Sequence, residues 1–282
     1  MGTSGSFGGS KTGLVPSWVD DPPAVPVAAP EGGESPDGNG DSDGELPSPI
    51  YPPLQPPPPG TGLGQARGSL TRGARTSDGN AIRRGAGRYV AASGGGRGAS
   101  RRMPNSRATA GGVAGLVRTF ATQGPAEALK PFNLQELAGA PAVDVFVALT
   151  EALCPPGGTI DEAIARDAML ETIAALAAEG IGNFDEMVPA DLQEFFIGVV
   201  SRSIEGKILN EVGTNSIRVS SDLTSVERAQ RMLHEFVEGC VRDRFSSFGS
   251  SLADVSGQQI DNFVFDLYEA AFNLMHAMGD AS

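Results

Sequence analysis

The chain has 282 residues, a formal net charge of -13 and a pI near 4.6, with 38 glycines, 21 prolines and two cysteines. Two cysteines rule out a disulfide-dense scaffold and fit free thiols in a reducing compartment, with a single Cys154 to Cys240 bridge left open. No basic start leads into an apolar centre, and no apolar run reaches bilayer length, so the expectation is a soluble, cytoplasmic chain without secretory signal or membrane span.

Met1 to Ser10 is rich in Gly and Ser with one aromatic, Phe7. The small Gly2 favours removal of Met1, which exposes a glycine amine that titrates at about 7.7 to 8.0 and is partly uncharged and nucleophilic at neutral pH. An unhindered glycine on such a leader suits insertion into another protein's active site; the plain alternative is an ordinary disordered terminus. Gly5 to Thr12 superficially resembles a phosphate loop, but Ser10 stands where the glycine before the lysine belongs and no strand precedes it, so that reading is rejected. Met1-Gly2 with Ser6 also fits a myristoylation pattern, disfavoured because Lys11 is alone and one acyl chain anchors weakly. Leu14-Val15-Pro16-Ser17-Trp18 holds the only tryptophan and reads either as a patch folding back on the rest of the chain or as a linear motif for a partner.

Asp20 to Glu45 is acidic without a Lys or Arg, and Tyr51 to Pro59 is a proline run suited to an extended spacer. From Arg67 to Arg118 arginine is frequent and Asp78 is the lone acid. Arginine among glycines fits either tracking of nucleic-acid backbone, with Tyr89 the one ring available for stacking, or attachment to the acidic surface of the chain's own domain or of a partner, which is slightly preferred on charge.

Large apolar residues concentrate after this point, which supports one helical domain of about 150 residues. Val113, Leu116, Val117 and Phe120 mark a helix ended by Gly124-Pro125, and Ala126 to Leu137 forms a short helical piece broken at Pro131. The stretch Ala142 to Leu176 reads as the pivot: a helix opening at Pro141, an elbow at Cys154-Pro155-Pro156-Gly157-Gly158, and a second helix opened by a Thr159/Glu162 capping box. Gly180 to Gly182 stops that helix. The next carries Leu192, Phe195, Phe196, Val199, Val200, Ile204 and Ile208 as one apolar stripe. Gly213 to Ser221 reads as an extended link. Capping boxes at Thr224/Glu227 and Ser256/Gln259 open the last two helices, the second of them lined by Ile260, Val264, Leu267, Ala271 and Met275. The expected fold is therefore all-α, a helical bundle at 106–282 preceded by a leader at 1–19 and a disordered Gly/Pro/Arg-rich linker at 20–105.

No constellation in the sequence carries chemistry. His234 and His276 lie on amphipathic helices, Cys154 has no histidine close by, and Asp161, Glu162, Asp185 and Glu186 are first-turn acids suited to a helix dipole. Glu205 is the least ordinary carboxylate, with a solvated helix surface as its default. No Cys/His cluster has zinc spacing and no strand precedes a dinucleotide fingerprint. A non-enzyme without cofactor or metal is the expectation.

Several segments together resemble the QatB family: Met1-Gly2-Thr3-Ser4-Gly5-Ser6-Phe7-Gly8-Gly9, Leu14-Val15-Pro16-Ser17-Trp18, the block from Cys154 to Arg166, Gly180 to Asp185, and Ser203 to Gly206. The resemblance implies a component of the bacterial Qat anti-phage defence system, encoded beside an ATPase (QatA), a QueC-like enzyme (QatC) and a TatD-like nuclease (QatD). It further implies that QatC, which would activate a deazaguanine carboxylate with ATP, binds the helical domain and receives the leader. Met1, Gly2, Thr3 and Ser4 would then be the processed or conjugated positions, and Gly5, Ser6, Phe7, Gly8, Gly9, Leu14, Val15, Pro16 and Trp18 the partner-binding ones. Two rivals are a nucleic-acid adaptor acting through the Arg/Gly segment and a scaffold bridging the ATPase and nuclease.

Overall fold

Helix-forming stretches set between glycine and proline breaks give this chain its architecture. The computed structural model describes residues 62–154, 158–212, 223–248 and 251–282, and over them the chain forms ten α-helices joined by short 3-10 turns. The all-α class expected from the sequence is thereby shown. Among the described residues there is no β-strand, only an isolated bridge between Pro141 and Asn183. The leader and the linker up to residue 61 lie outside the described residues.

The first helices correct the sequence reading. The segment expected as linker up to residue 105 is helical from Gly64 onward: α1 (Gly64–Thr76), α2 (Gly79–Ala92) and α3 (Gly95–Arg101) precede α4 (Pro104–Gln123). Ala66, Leu70 and Ala74 bury one stripe of α1 against Ile82, Ala86, Tyr89 and Val90 of α2. Asp78 caps α2 by accepting a hydrogen bond from the Asn80 N–H at 2.9 Å. Composition misled because these glycines are contact points rather than hinges. A Cβ on Gly85 would stand 2.6 Å from Leu70, and one on Gly87 would stand 3.0 Å from the Cα of Gly279 in the last helix. Two helix backbones can approach this closely only where the side chain is a hydrogen.

Gly124, at φ 91°, turns the chain from α4 into α5 (Pro125–Leu129), and 3-10 turns at Lys130–Phe132 and Gln135–Leu137 follow. Pro141 proves to be the N-cap of α6 (Ala142–Leu153), one residue ahead of its helical start. The Thr159/Glu162 capping box is present at the head of α7 (Ile160–Ala178), with Glu162 N–H donating to Thr159 Oγ1 at 3.2 Å. After α7 the chain passes Gly180, at φ 75°, into a 3-10 turn at Phe184–Glu186. Phe184 is fully buried there and meets Phe120 and Phe146 edge-on, with ring centroids at 5.3 and 5.8 Å, while Phe146 stacks on Phe195 at 4.0 Å.

The organising element is α8 (Pro189–Val212) rather than the pair α6 and α7. Its predicted stripe is buried, but so are Ile197, Gly198, Ser201 and Ser203, because α4, α7 and α9 (Leu223–Ser247) cover it from several sides. A helix buried nearly all round must carry apolar or small residues on every face, and α8 does so from Phe195 to Val200. Opposite α2 and α3 runs α10 (Ile260–Asp280), which also packs on α4 and α9. At the last helix the cap differs from expectation: Ser256 donates its hydroxyl to the Gln259 side chain at 2.9 Å instead of capping a backbone N–H, while α9 is helical from Leu223. The expected link at Gly213 to Ser221 lies outside the described residues. No helix among the described residues is long and apolar enough to cross a membrane.

Candidate functional site

The leader residues singled out from the sequence, Met1 to Gly9 and Leu14 to Trp18, lie outside the described residues. What the folded part offers is a polar seam across α7, α8 and α9, a buried network beneath it, and a basic face on α1 and α2.

The seam is centred on His234 of α9. Its Nδ1 lies 2.8 Å from Glu205 Oε2 of α8, and its Nε2 lies 3.4 Å from Glu238 one turn along α9. Arg242 then grips Glu194 of α8 through both terminal nitrogens at 2.7 Å and Glu238 at 2.8 Å. On the far side, Arg202 Nε stands 3.8 Å from Glu171 of α7. Glu205 is thus no solvated surface carboxylate: its side chain is 14% exposed and it is committed to the imidazole. The sequence reading missed this because Glu205 and His234 are 29 residues apart and only packing of α8 on α9 joins them.

The hydrogen bond to Glu205 raises the His234 pKa above its ordinary value, opposing the effect of burial, and the charge of Glu238 adds to the rise. Burial raises the Glu171 carboxyl, reinforced by the charge of Glu205. A cavity of about 510 Å³ opens beside the seam, lined by Asp167, Glu171, Arg202, Glu205, Asn210 and Gln230. Both imidazole nitrogens face carboxylates of the protein itself, one on α8 and one on α9, so the arrangement serves as a tie between α8 and α9.

Beneath the seam, Asp161 is 7% exposed and serves a helix other than its own. Its Oδ2 accepts from the backbone N–H of Asn105 at 2.6 Å and of Ser106 at 3.3 Å, and its Oδ1 accepts from the Ser106 hydroxyl at 2.7 Å. These are free N–H groups of the first turn of α4, whose N-cap residue Met103 has no side-chain acceptor. The sequence reading assigned Asp161 to the dipole of α7; the structure gives it to α4 as well. The Ser203 hydroxyl lies 2.8 Å from the Val200 carbonyl and shares a hydrogen bond of 2.7 Å with the Tyr268 hydroxyl, which links α8 to α10. The tyrosine is fully buried, and burial pushes its pKa up.

Both cysteines are free and buried, which closes the question of a bridge. Cys154 Sγ lies 3.3 Å from Thr109 Oγ1, and Cys240 Sγ lies 3.9 Å from Met278 Sδ. Burial raises both thiols, Cys240 to about 12, the opposite of what an activated nucleophile requires. His276 Nδ1 stands 3.5 Å from Asp280 on the same helix. Among the described residues no group of three His, Cys, Asp or Glu side chains could hold a metal ion.

Many arginines of α1 to α4 lie against the bundle. Arg67 Nε donates to the Val212 carbonyl at 2.8 Å, Arg84 to the Ser282 carbonyl at 2.8 Å, and Arg102 pairs with Glu211 at 3.6 Å. Arg107 covers the Phe265 ring at 5.0 Å. Of the two acidic surfaces expected from charge, the chain's own or a partner's, these arginines use the chain's own. Tyr89, the proposed stacking ring, is fully buried beside Phe272.

The folded part is an all-helical bundle in which His234, both cysteines and the buried Asp161 are engaged in helix-to-helix contacts. A family model described as Qat anti-phage system associated protein QatB matches residues 94–275. The chain belongs to the QatB family, a component of the Qat anti-phage system. Comparison with curated proteins and with solved structures returned no match.

Proposed function

We propose that this chain is a non-catalytic component of the Qat defence complex that binds the QueC-like enzyme QatC and presents its N-terminal Met1-Gly2 leader for processing or deazaguanine conjugation. Membership in the QatB family carries this reading, since it implies partners within the Qat system. The bundle supports it: its reactive side chains are occupied as structural ties, which suits a binding body better than an active site. The leader supplies the chemistry. After loss of Met1, the Gly2 nitrogen attacks the activated carboxyl of the deazaguanine, an amide bond forms, the activating group leaves, and the amine proton passes to base. Thr3 and Ser4 fix the register, and Gly5 to Gly9 with Leu14, Val15, Pro16 and Trp18 hold the enzyme. The ATPase QatA and the nuclease QatD are further partners on this reading, and the complex is cytoplasmic.

The test is mass spectrometry of the intact chain and of its N-terminal peptide, produced alone and with QatC. A partner-dependent mass change confined to the peptide containing Gly2, absent when Gly2 is replaced, supports the proposal. A terminus altered only by ordinary Met1 removal, in a stable complex, leaves a scaffold that bridges the other components.

A further inference from the structure

We infer that the outer face of the α1/α2 hairpin is a binding surface for the phosphate backbone of double-stranded nucleic acid. Between residues 62 and 107 the chain holds ten arginines, no lysine and one acid, Asp78, whereas the whole chain is at -13. Most acidic chains would repel a polyanion; this one places six of those arginines on the α1/α2 hairpin with Asp78 as its one acid.

Helix formation decides where those arginines point. The stripe containing Leu70 and Ala74 faces α2, so Arg72 and Arg75 emerge on the opposite side of α1, exposed, their guanidinium groups without a hydrogen bond or ion pair among the described residues. Arg88 is exposed on α2, and its Nη1 donates to Ser69 Oγ at 2.6 Å, which brings its guanidinium within one turn of Arg72. Asp78 does not neutralise these three, because it pairs with Arg84 at 3.4 Å. Guanidinium groups bind phosphate oxygens with two parallel N–H bonds, a geometry lysine lacks.

Two observations select the partner. The exposed large apolar residues of the described chain are Val147, Ile160, Leu170, Val188, Phe248 and Met278, none of them on α1 or α2. An acidic protein would find no apolar anchor on the hairpin, and protein interfaces draw most of their affinity from such anchors. A phosphate polymer needs none, since displaced counterions supply the free energy. Single strands are disfavoured by the burial of Tyr89, which leaves the hairpin no ring on which bases could stack. Charge without stacking fits a duplex read by its backbone and not by its sequence.

The experiment is a fluorescence-anisotropy titration of the full chain against a labelled duplex of about 20 base pairs and mixed sequence, from about 50 to 200 mM salt. Expected is binding that weakens steeply with salt. The combined variant Arg72→Gln, Arg75→Gln and Arg88→Gln should lower the slope of log K against log salt by about 2 to 3, whatever the duplex sequence. The double variant Arg72→Gln and Arg75→Gln touches no partnered side chain, so it separates loss of binding from loss of fold, and it should lower the slope by about 2. Lys130→Gln, at an exposed lysine paired only with Glu127, should change nothing. Absence of binding at the lowest salt, or unchanged binding by both arginine variants, overturns the inference. Displacement of the duplex by polyglutamate at equal charge concentration overturns it in favour of an acidic protein.

Discussion

His234 makes stability depend on pH. Its neighbours are Glu205 and Arg202 from α8 and Glu238 on its own helix, and their net effect holds its folded pKa above the unfolded value of 6.5. The folded state therefore binds the proton more tightly, so the His234 contribution is fully present below about 6.5 and is lost as pH rises through the folded pKa. Glu171, raised mainly by burial, acts with the same sign at lower pH. The urea midpoint, followed by circular dichroism, should fall as pH rises above about 6.5. His234→Gln should flatten that slope; a slope unchanged in the variant would assign it to other groups. Asp161 is the second consequential residue. Asp161→Ala removes the acceptor for two backbone N–H groups and a hydroxyl, all close to the core, and should cost about 2 to 4 kcal/mol by denaturant unfolding. Asp161→Asn, which keeps an acceptor oxygen, should cost less.

At the scale of the helix, one substitution takes opposite signs in one hairpin. Gly68 of α1 has open space where a Cβ would go, so Gly68→Ala should stabilise by up to about 1 kcal/mol through helix propensity. Gly85→Ala gains the same propensity but drives a methyl into Leu70, and overpacking of this kind costs about 1 to 3 kcal/mol. Paired thermal melts would settle both, and equal effects would mean that α1 and α2 do not pack as described. The polar seam between α8 and α9 is also an element-scale feature. Its ion pairs are partly exposed, so they align the helices more than they stabilise them.

For the whole molecule, the two thiols report how the bundle opens. Cys240 lies within α9, packed beneath Met278, whereas Cys154 is the C-cap residue of α6. Labelling of native protein with a thiol reagent should modify Cys154 first, through local opening of the helix end, and Cys240 only with global unfolding. Equal rates would show that the bundle opens as one unit. The two proposed functions draw on different residues: the leader for covalent chemistry, and the α1/α2 face for a polyanion. Substitution of Gly2 should leave duplex binding unchanged, and the arginine variants should leave leader modification unchanged.

From Arg107 onward most of the fold was legible in the sequence. Helix stops at Gly124 and Gly180, the Thr159/Glu162 box and the stripe of α8 all depend on residues a few positions apart, and local spacing reports local geometry. The family was legible too, through short segments such as Cys154 to Arg166. What spacing could not reveal were contacts between distant residues. Glycines that read as linker became helix contacts only once α2 met α10, and Asp161 found its partners 55 and 56 residues upstream. Glu205 met its histidine across two helices, and α8 became the centre because other helices covered its remaining sides. From Arg107 onward, sequence alone determined which stretches are helices, and it determined which family the chain joins; tertiary packing decided that the glycine-rich stretch before it is helical, which polar groups are buried, which are paired, and which arginines remain free.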